Sequence, residues 1–155
     1  MAEPVALLAA KSLSTEELFS FARTINIPNV EVLIRPRAFC DVQLVRGDEN
    51  IWISFENEKV IDGVVYKNIQ YEDEDEETKD IVQKLGAIPQ TFITIDISNN
   101  PRSQLLAVAF AALFAERWSC VVDNLLGDER HRIYSSQEIF ELREQRRGFW
   151  EQGSV

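Results

Sequence analysis

Residues 91–123 read TFITIDISNNPRSQLLAVAFAALFAERWSCVVD, and the fold is decided in this stretch. Over Phe92–Ile97 the side chains alternate, with Ile93, Ile95 and Ile97 opposite Phe92, Thr94 and Asp96. A period of two marks a strand with one face turned to a core. Asn100 and Pro101 then carry the two signals of a helix start, a capping side chain followed by a residue whose φ is already helical. The predicted helix runs to about Trp118, and Leu105–Ala115 is apolar around most of its circumference, which places it at the centre of the packing. Cys120–Asp123 reads as a buried strand. Strand, helix and strand in this order predict a helix laid across one face of a sheet.

The rest of the chain extends that pattern in both directions. Val5–Ala10 reads as a short buried strand. Ser14 and Glu17 have the spacing of a capping box, so a helix is expected from Thr15 to about Ile25, with Leu18, Phe19, Phe21 and Ala22 inward. Pro28-Asn29 closes it. Three strand-like runs follow, Val30–Ile34, Phe39–Val45 and Ile51–Phe55, separated by Pro36 and by a turn over 47–50. In the third, Ile51, Ile53 and Phe55 share one face, and Trp52, Ser54 and Glu56 the other. Val60–Tyr66 is either one more strand or a hairpin arm turning at Asp62-Gly63. An acidic run, Glu72–Glu77, leads into a short helix, Thr78–Leu85, that ends at Gly86. After a polar loop, Leu126–Arg132, Ser135 and Glu138 repeat the capping-box spacing before a last helix to about Arg147. The fold class expected is α/β of the α+β kind, a single domain over 1–155. It has a mixed β-sheet with helices mainly on one face and a ferredoxin-like core with additions. A doubly wound sheet fits less well, because consecutive strands lack crossover helices.

Charge sets the function classes. Among 155 residues, 26 acids stand against 16 bases, a net charge of −10. Nonspecific binding to nucleic acid or to an anionic membrane needs the opposite sign. Glu72, Asp73, Glu74, Asp75, Glu76, Glu77 and Asp80, set against Lys79 alone, concentrate −6 of that charge within nine residues. This is either a solvated helix start or a docking surface for a basic protein, whose approach it would speed. Val5–Ala10 has no preceding Lys or Arg and makes a poor signal peptide. The eleven apolar residues of 105–115 are too few to span a bilayer. Cys40 and Cys120 sit in apolar, strand-like contexts and are expected as buried thiols of a cytoplasmic protein.

Motifs for catalysis are missing. No G-x-G-x-x-G, P-loop, G-x-S-x-G or C-x-x-C occurs, so no cofactor is expected. One histidine and two distant cysteines do not make up the ligand set of a zinc site, and the acidic run lacks the glycine and alternation of a calcium loop; the metal reading is therefore none. Glu56, Glu58 and Lys59 superficially resemble a nuclease element, but with the wrong spacing. His131, within a charged loop, is expected to be a solvated side chain. The alternative is a small enzyme in which Asp96, Asp123 and His131 converge at the strand ends. Among aromatic residues, Trp118 is expected in the core. Trp52 is a candidate contact residue on a sheet face, and Phe149 and Trp150 either cap the core or anchor an interface.

The stretch 91–124, followed by IYSSQEIF at 133–140, resembles the C-terminal half of small bacterial immunity proteins. Those proteins are made beside polymorphic or contact-dependent toxins and neutralise them by binding. The resemblance covers about a third of the chain and carries no catalytic residues. It implies a non-catalytic, acidic binding protein that occludes the active or substrate-binding site of a basic toxin domain. No direct contact with nucleic acid or membrane is implied. Combined with the charge pattern, it puts the expected partner-binding residues at Glu72–Glu77, Asp80 and Trp52. A homodimeric regulatory or scaffold subunit is the remaining alternative.

Overall fold

The computed structural model describes residues 3–37, 40–56, 58–61, 64–67, 76–126 and 129–150, with backbone alone at 36–37, 58–61, 64–67 and 76–78. The elements in chain order are β1 (Glu3–Ala9), α1 (Thr15–Arg23), β2 (Glu31–Arg37), β3 (Cys40–Arg46), β4 (Glu49–Phe55), β5 (Glu58–Ile61), β6 (Val64–Lys67), α2 (Glu76–Leu85), β7 (Thr91–Ile97), α3 (Ser103–Arg117), β8 (Cys120–Asp123), β9 (Ile133–Tyr134) and α4 (Ser136–Gln145). Seven strands form one sheet in the order β2-β3-β4-β7-β1-β8-β9, and β5 and β6 form a separate hairpin. The class is α+β, with three of the four helices packed on one face.

Every ladder in the large sheet is antiparallel, where a mixed sheet is expected from the sequence. The physical reason is where β1 lies. It is inserted between β7 and β8 and runs against both, so those two strands point the same way without touching. Together with α3 they form a split β-α-β unit, the element behind the expected ferredoxin-like core. The β1-α1-β2 connection likewise joins strands of the same direction, but it carries the chain to the far edge of the sheet.

One face of the sheet and three helices make the main core. Val5, Leu7, Val42, Leu44, Ile51, Ile53, Ile93, Ile95, Ile97 and Val122 meet α1, α3 and α4 there. From α1, Leu18, Phe19, Phe21 and Ala22 are buried as their spacing requires, and Ser14 closes a capping box with Glu17. The Phe21 ring packs edge-on against Phe110, Phe114 and Trp118, with centroids 5.7, 5.5 and 5.4 Å away. Such contacts add about 0.5–1.5 kcal/mol per pair beyond area burial. Along α3 the buried set Leu106, Ala107, Val108, Phe110, Ala111, Ala112 and Phe114 wraps around the helix, because β strands lie beneath it and α4 beside it.

The start of α3 differs from the expected cap. The helix begins at Ser103, with Asn100 and Pro101 in a preceding turn. Bonds from Ser103, Gln104 and Leu105 amides reach the carbonyls three residues back, and Asn100 Oδ1 accepts the Arg102 amide at 3.0 Å. The tighter turn is held from outside: Ser103 Oγ is 2.6 Å from Ser98 Oγ and accepts the Asn50 amide at 2.9 Å, tying the helix to β4. Asn100 therefore caps this tight turn, and not the α-helix itself.

The opposite face has a smaller cluster, Leu8, Ile81, Leu85, Val121 and Ile133, with Phe92 packed against it. It lies where α2 crosses the β8–β9 side of the sheet. Gly86, at φ +79°, ends α2 in the left-handed conformation that glycine tolerates best. Both cysteines are buried and form no disulfide, and burial pushes the Cys120 thiol up to about 12. Among the described residues no helix is long and apolar enough to cross a membrane.

Candidate functional site

The sheet face that carries α2 is the candidate binding face. Directly opposed residues of antiparallel strands lie on the same side, so the registers define its rows. One row is Leu33, Gln43, Trp52, Asp96 and Pro4; the next holds Ser54, Thr94, Ala6 and Asp123. The alternation of burial agrees: Ile51, Ile53, Ile93, Ile95 and Ile97 are buried, while Trp52, Ser54, Phe92, Thr94 and Asp96 between them are half-buried. The described strand residues on this face include Glu31, Asp41, Glu56 and Asp96 and no Lys or Arg.

These acids are held in place in different ways. Asp41 Oδ2 accepts the Phe55 amide at 2.7 Å, continuing the β3–β4 ladder with a side chain past its last backbone pair. Partial burial raises the pKa of Asp96 above the ordinary carboxylate value, and the charge of Glu56 adds to the rise. Gln43 donates to Asn50 Oδ1 at 2.9 Å across the turn.

Of the residues expected to bind a partner, Trp52 lies on this face and is half-buried. Asp80 is exposed on α2. Glu76 and Glu77 form the first turn of α2. Glu72, Asp73, Glu74 and Asp75 lie outside the described residues. The helix starts two residues earlier than expected, so the acidic run enters it directly. The Val60–Tyr66 segment is a hairpin, β5 paired with β6, and Asp62-Gly63 lies outside the described residues.

His131 is not a solvated loop side chain. Its Nε2 lies 2.9 Å from Asp123 Oδ1, and Asp123 is only 5 % exposed. The same carboxylate oxygen accepts the Leu125 amide at 2.8 Å. The loop is drawn inward by Asn124, whose buried side chain donates to the carbonyls of Arg130 and Phe149 and accepts the amides of Leu126 and Arg132. A VVDN stretch with a histidine seven residues on was the available signal, but it reads as polar loop composition until the loop's closure is known.

Asp96 does not join that pair. Pro4 and Ala6 of β1 stand opposite Asp96 and Asp123 respectively, so β1 threads between the two carboxylates. Two strand spacings of about 4.8 Å, plus a step of two residues along the strand, separate their backbones. The expected convergence of Asp96, Asp123 and His131 therefore fails. Among the described residues no group of three or more His, Cys, Asp or Glu side chains is placed to hold a metal ion.

The C-terminal aromatic residues fold back. Phe149 is fully buried, with its ring 5.5 Å from Tyr134, and its carbonyl accepts the Tyr134 hydroxyl at 2.9 Å. Trp150 packs on the core and donates its indole N–H to the Asn124 carbonyl at 3.2 Å. An interface anchor at Phe149 is thereby overturned, because the ring is spent on the interior.

Arginines populate the other side of the molecule. Arg23, Arg117 and Arg143 sit in last turns of α1, α3 and α4. Arg23 and Arg35 stack on Phe19, and Arg117 stacks on Trp118. The same helices carry Glu16, Glu17, Glu116, Glu138, Glu141 and Glu144, so this side mixes both signs of charge. No protein-family model matches the chain, and no curated protein or solved structure matches it either.

Proposed function

We propose that the protein is a non-catalytic binding protein that docks a basic protein on its acidic sheet face. It would work as the bacterial immunity proteins it resembles do, by occluding the active or substrate-binding site of a cognate toxin in the cytoplasm of the cell that makes it. The observation that carries this reading is the one-signed charge of the strand residues on that face. Glu31, Asp41, Glu56 and Asp96 stand on a face without described Lys or Arg strand residues, and α2 packs on the same side through Ile81 and Leu85.

A face of one sign steers encounter with a partner of opposite sign and repels partners of like sign. Trp52, amid the acids on the neighbouring strands, supplies the aromatic area that interface centres favour. The acidic run at 72–80 adds most of the net charge beside it in sequence. The burial of Cys40 and Cys120, with no disulfide between them, fits a reducing compartment.

The test is co-expression of the tagged chain with the product of the neighbouring gene. The expected result is a neighbour that is toxic alone, is relieved of toxicity by this chain, and co-purifies with it. A neighbour that is harmless alone or does not bind sinks the toxin reading. Sizing of the purified chain addresses the homodimer alternative, which predicts a species of twice the 17.8 kDa mass.

A further inference from the structure

On the helical side, away from the acidic face, α3, α4 and the end of β3 enclose a cleft of about 330 Å³ lined by Arg46, Leu105, Val108, Leu142, Arg143 and Arg146. Sites for small molecules span ~300–1,000 Å³ and combine an apolar floor with a few converging polar groups. Three guanidinium groups around three aliphatic side chains meet that description. Like charges gathered at one cleft repel one another, so the arrangement calls for compensating anions.

Two of the three have a compensating carboxylate. Arg46 donates from Nε and Nη2 to the two carboxylate oxygens of Glu49 at 3.1 and 2.9 Å. Arg143 donates from Nη2 to Glu116 at 3.1 Å, and its guanidinium lies 5.5 Å from the centre of the Phe140 ring. These contacts hold both heads while leaving further N–H donors on each fork, since a guanidinium carries five. Arg146 makes no side-chain hydrogen bond or ion pair among the described residues. Arg146, exposed at the rim of the cleft, is thus the one of the three without a carboxylate partner among the described residues.

The backbone of Arg146 is a second, independent observation. It caps α4 in the left-handed region, at φ 54° and ψ 51°. Glycine adopts that conformation without steric cost and a residue with Cβ does not. Where α2 ends in the same way, glycine stands at the left-handed position, Gly86. At the end of α4 the chain instead carries a strained arginine, whose side chain lines the cleft. Strain of this kind gathers where a side chain serves a ligand.

We propose that this cleft binds a small amphipathic carboxylate. Its anionic head takes the guanidinium of Arg146 and the remaining donors of Arg143 and Arg46, in the planar geometry that guanidinium and carboxylate share. Its hydrocarbon part lies on Leu105, Val108 and Leu142. The proposal does not depend on a protein partner for the acidic face, which lies on the other side of the sheet.

The test titrates the full chain with octanoate, below its micelle concentration, while methyl resonances of Leu105, Val108 and Leu142 are followed by NMR. Saturable shifts at these methyls are expected. Acetate and octanol, each carrying half of the chemistry, should bind at least about tenfold more weakly, as loss of a charged hydrogen bond or of the apolar contact requires. Arg146→Gly should lose affinity by a similar factor while melting at a higher temperature, because the left-handed strain is relieved. Arg146→Asn, which also accepts that conformation, should show the same loss if the glycine variant does not fold. Absence of shifts at the cleft methyls, octanol binding as tightly as octanoate, or unchanged affinity in the folded Arg146 variant would each overturn the proposal.

Discussion

Leu7 and Leu8 are neighbours on β1 and face opposite layers, and the two layers are built differently. Leu7 enters a core closed by three helices, whereas Leu8 enters a small cluster beneath α2 alone. Both side chains are almost wholly buried, so burial alone does not distinguish them. The difference is in what surrounds each cluster. On the Leu7 side, Phe21, Phe110, Phe114 and Trp118 interlock, and the buried Thr91 at the end of β7 has its hydroxyl hydrogen-bonded. On the Leu8 side, Thr94, Asp96 and Asp123 follow along the same face. One layer satisfies the hydrophobic requirement of the fold, which leaves the other free to carry charge for recognition.

Truncation should expose this difference most strongly. Leu7→Ala is expected to cost about 4 kcal/mol, towards the upper end of the ~2–5 kcal/mol range for leucine truncation, because the surrounding rings cannot collapse into the void. Leu8→Ala should cost about 2–3 kcal/mol, since α2 can settle towards the sheet. Urea unfolding of both variants checks this; equal losses would remove the distinction between the layers. The edge of the Leu7 layer is tested by Thr91, a fully buried residue whose hydroxyl accepts the Leu13 amide at 2.9 Å and donates to the Lys11 carbonyl at 2.7 Å. Thr91→Val keeps the shape and removes both hydrogen bonds, for an expected loss of about 1–3 kcal/mol. Ser135→Ala removes the cap of α4, with an expected loss of about 1 kcal/mol in thermal or urea unfolding.

The smallest effect concerns pH, and the two layers should answer with opposite sign. Burial works against the charge of Glu138, but the Ser135 amide and Lys84 outweigh it and hold the carboxyl below its ordinary value. A lowered folded pKa contributes stability that is present above the unfolded value and lost as pH falls through the folded one. Asp96 is raised by burial and by Glu56, so its ionisation opposes folding: the penalty is absent below the unfolded pKa and complete above the folded one. Glu138→Gln should therefore lower, and Asp96→Asn slightly raise, the unfolding midpoint at neutral pH, with both differences vanishing in acid. Shifts of the same sign would contradict the assignment.

Much of this architecture was legible because local signals were strong. Both capping boxes, the alternation in β7 and the apolar circumference of α3 each have one structural solution. The antiparallel sheet was not legible, because strand order depends on where β1 inserts and no local pattern encodes that. The Asp123–His131 pair escaped for a related reason: Asn124 folds the loop back through contacts to Arg130, Arg132 and Phe149 that composition does not reveal. The arginines of the cleft were visible only as a basic segment at 143–147. Their meeting with Arg46 requires α4 to dock beside α3 over the end of β3.

The central claim, that the acidic side meets a basic protein, is tested most directly by association kinetics with the purified product of the neighbouring gene. The measurement compares the native chain with a variant in which Glu72, Asp73, Glu74, Asp75, Glu76, Glu77 and Asp80 are replaced by Gln or Asn, at low and at physiological salt. Electrostatic steering raises association rates by ~10–1,000-fold and weakens steeply with salt. The expected result is an association rate at least about tenfold lower for the variant at low salt, with the gap narrowing as salt rises. Equal rates for the two proteins at both ionic strengths would contradict the claim.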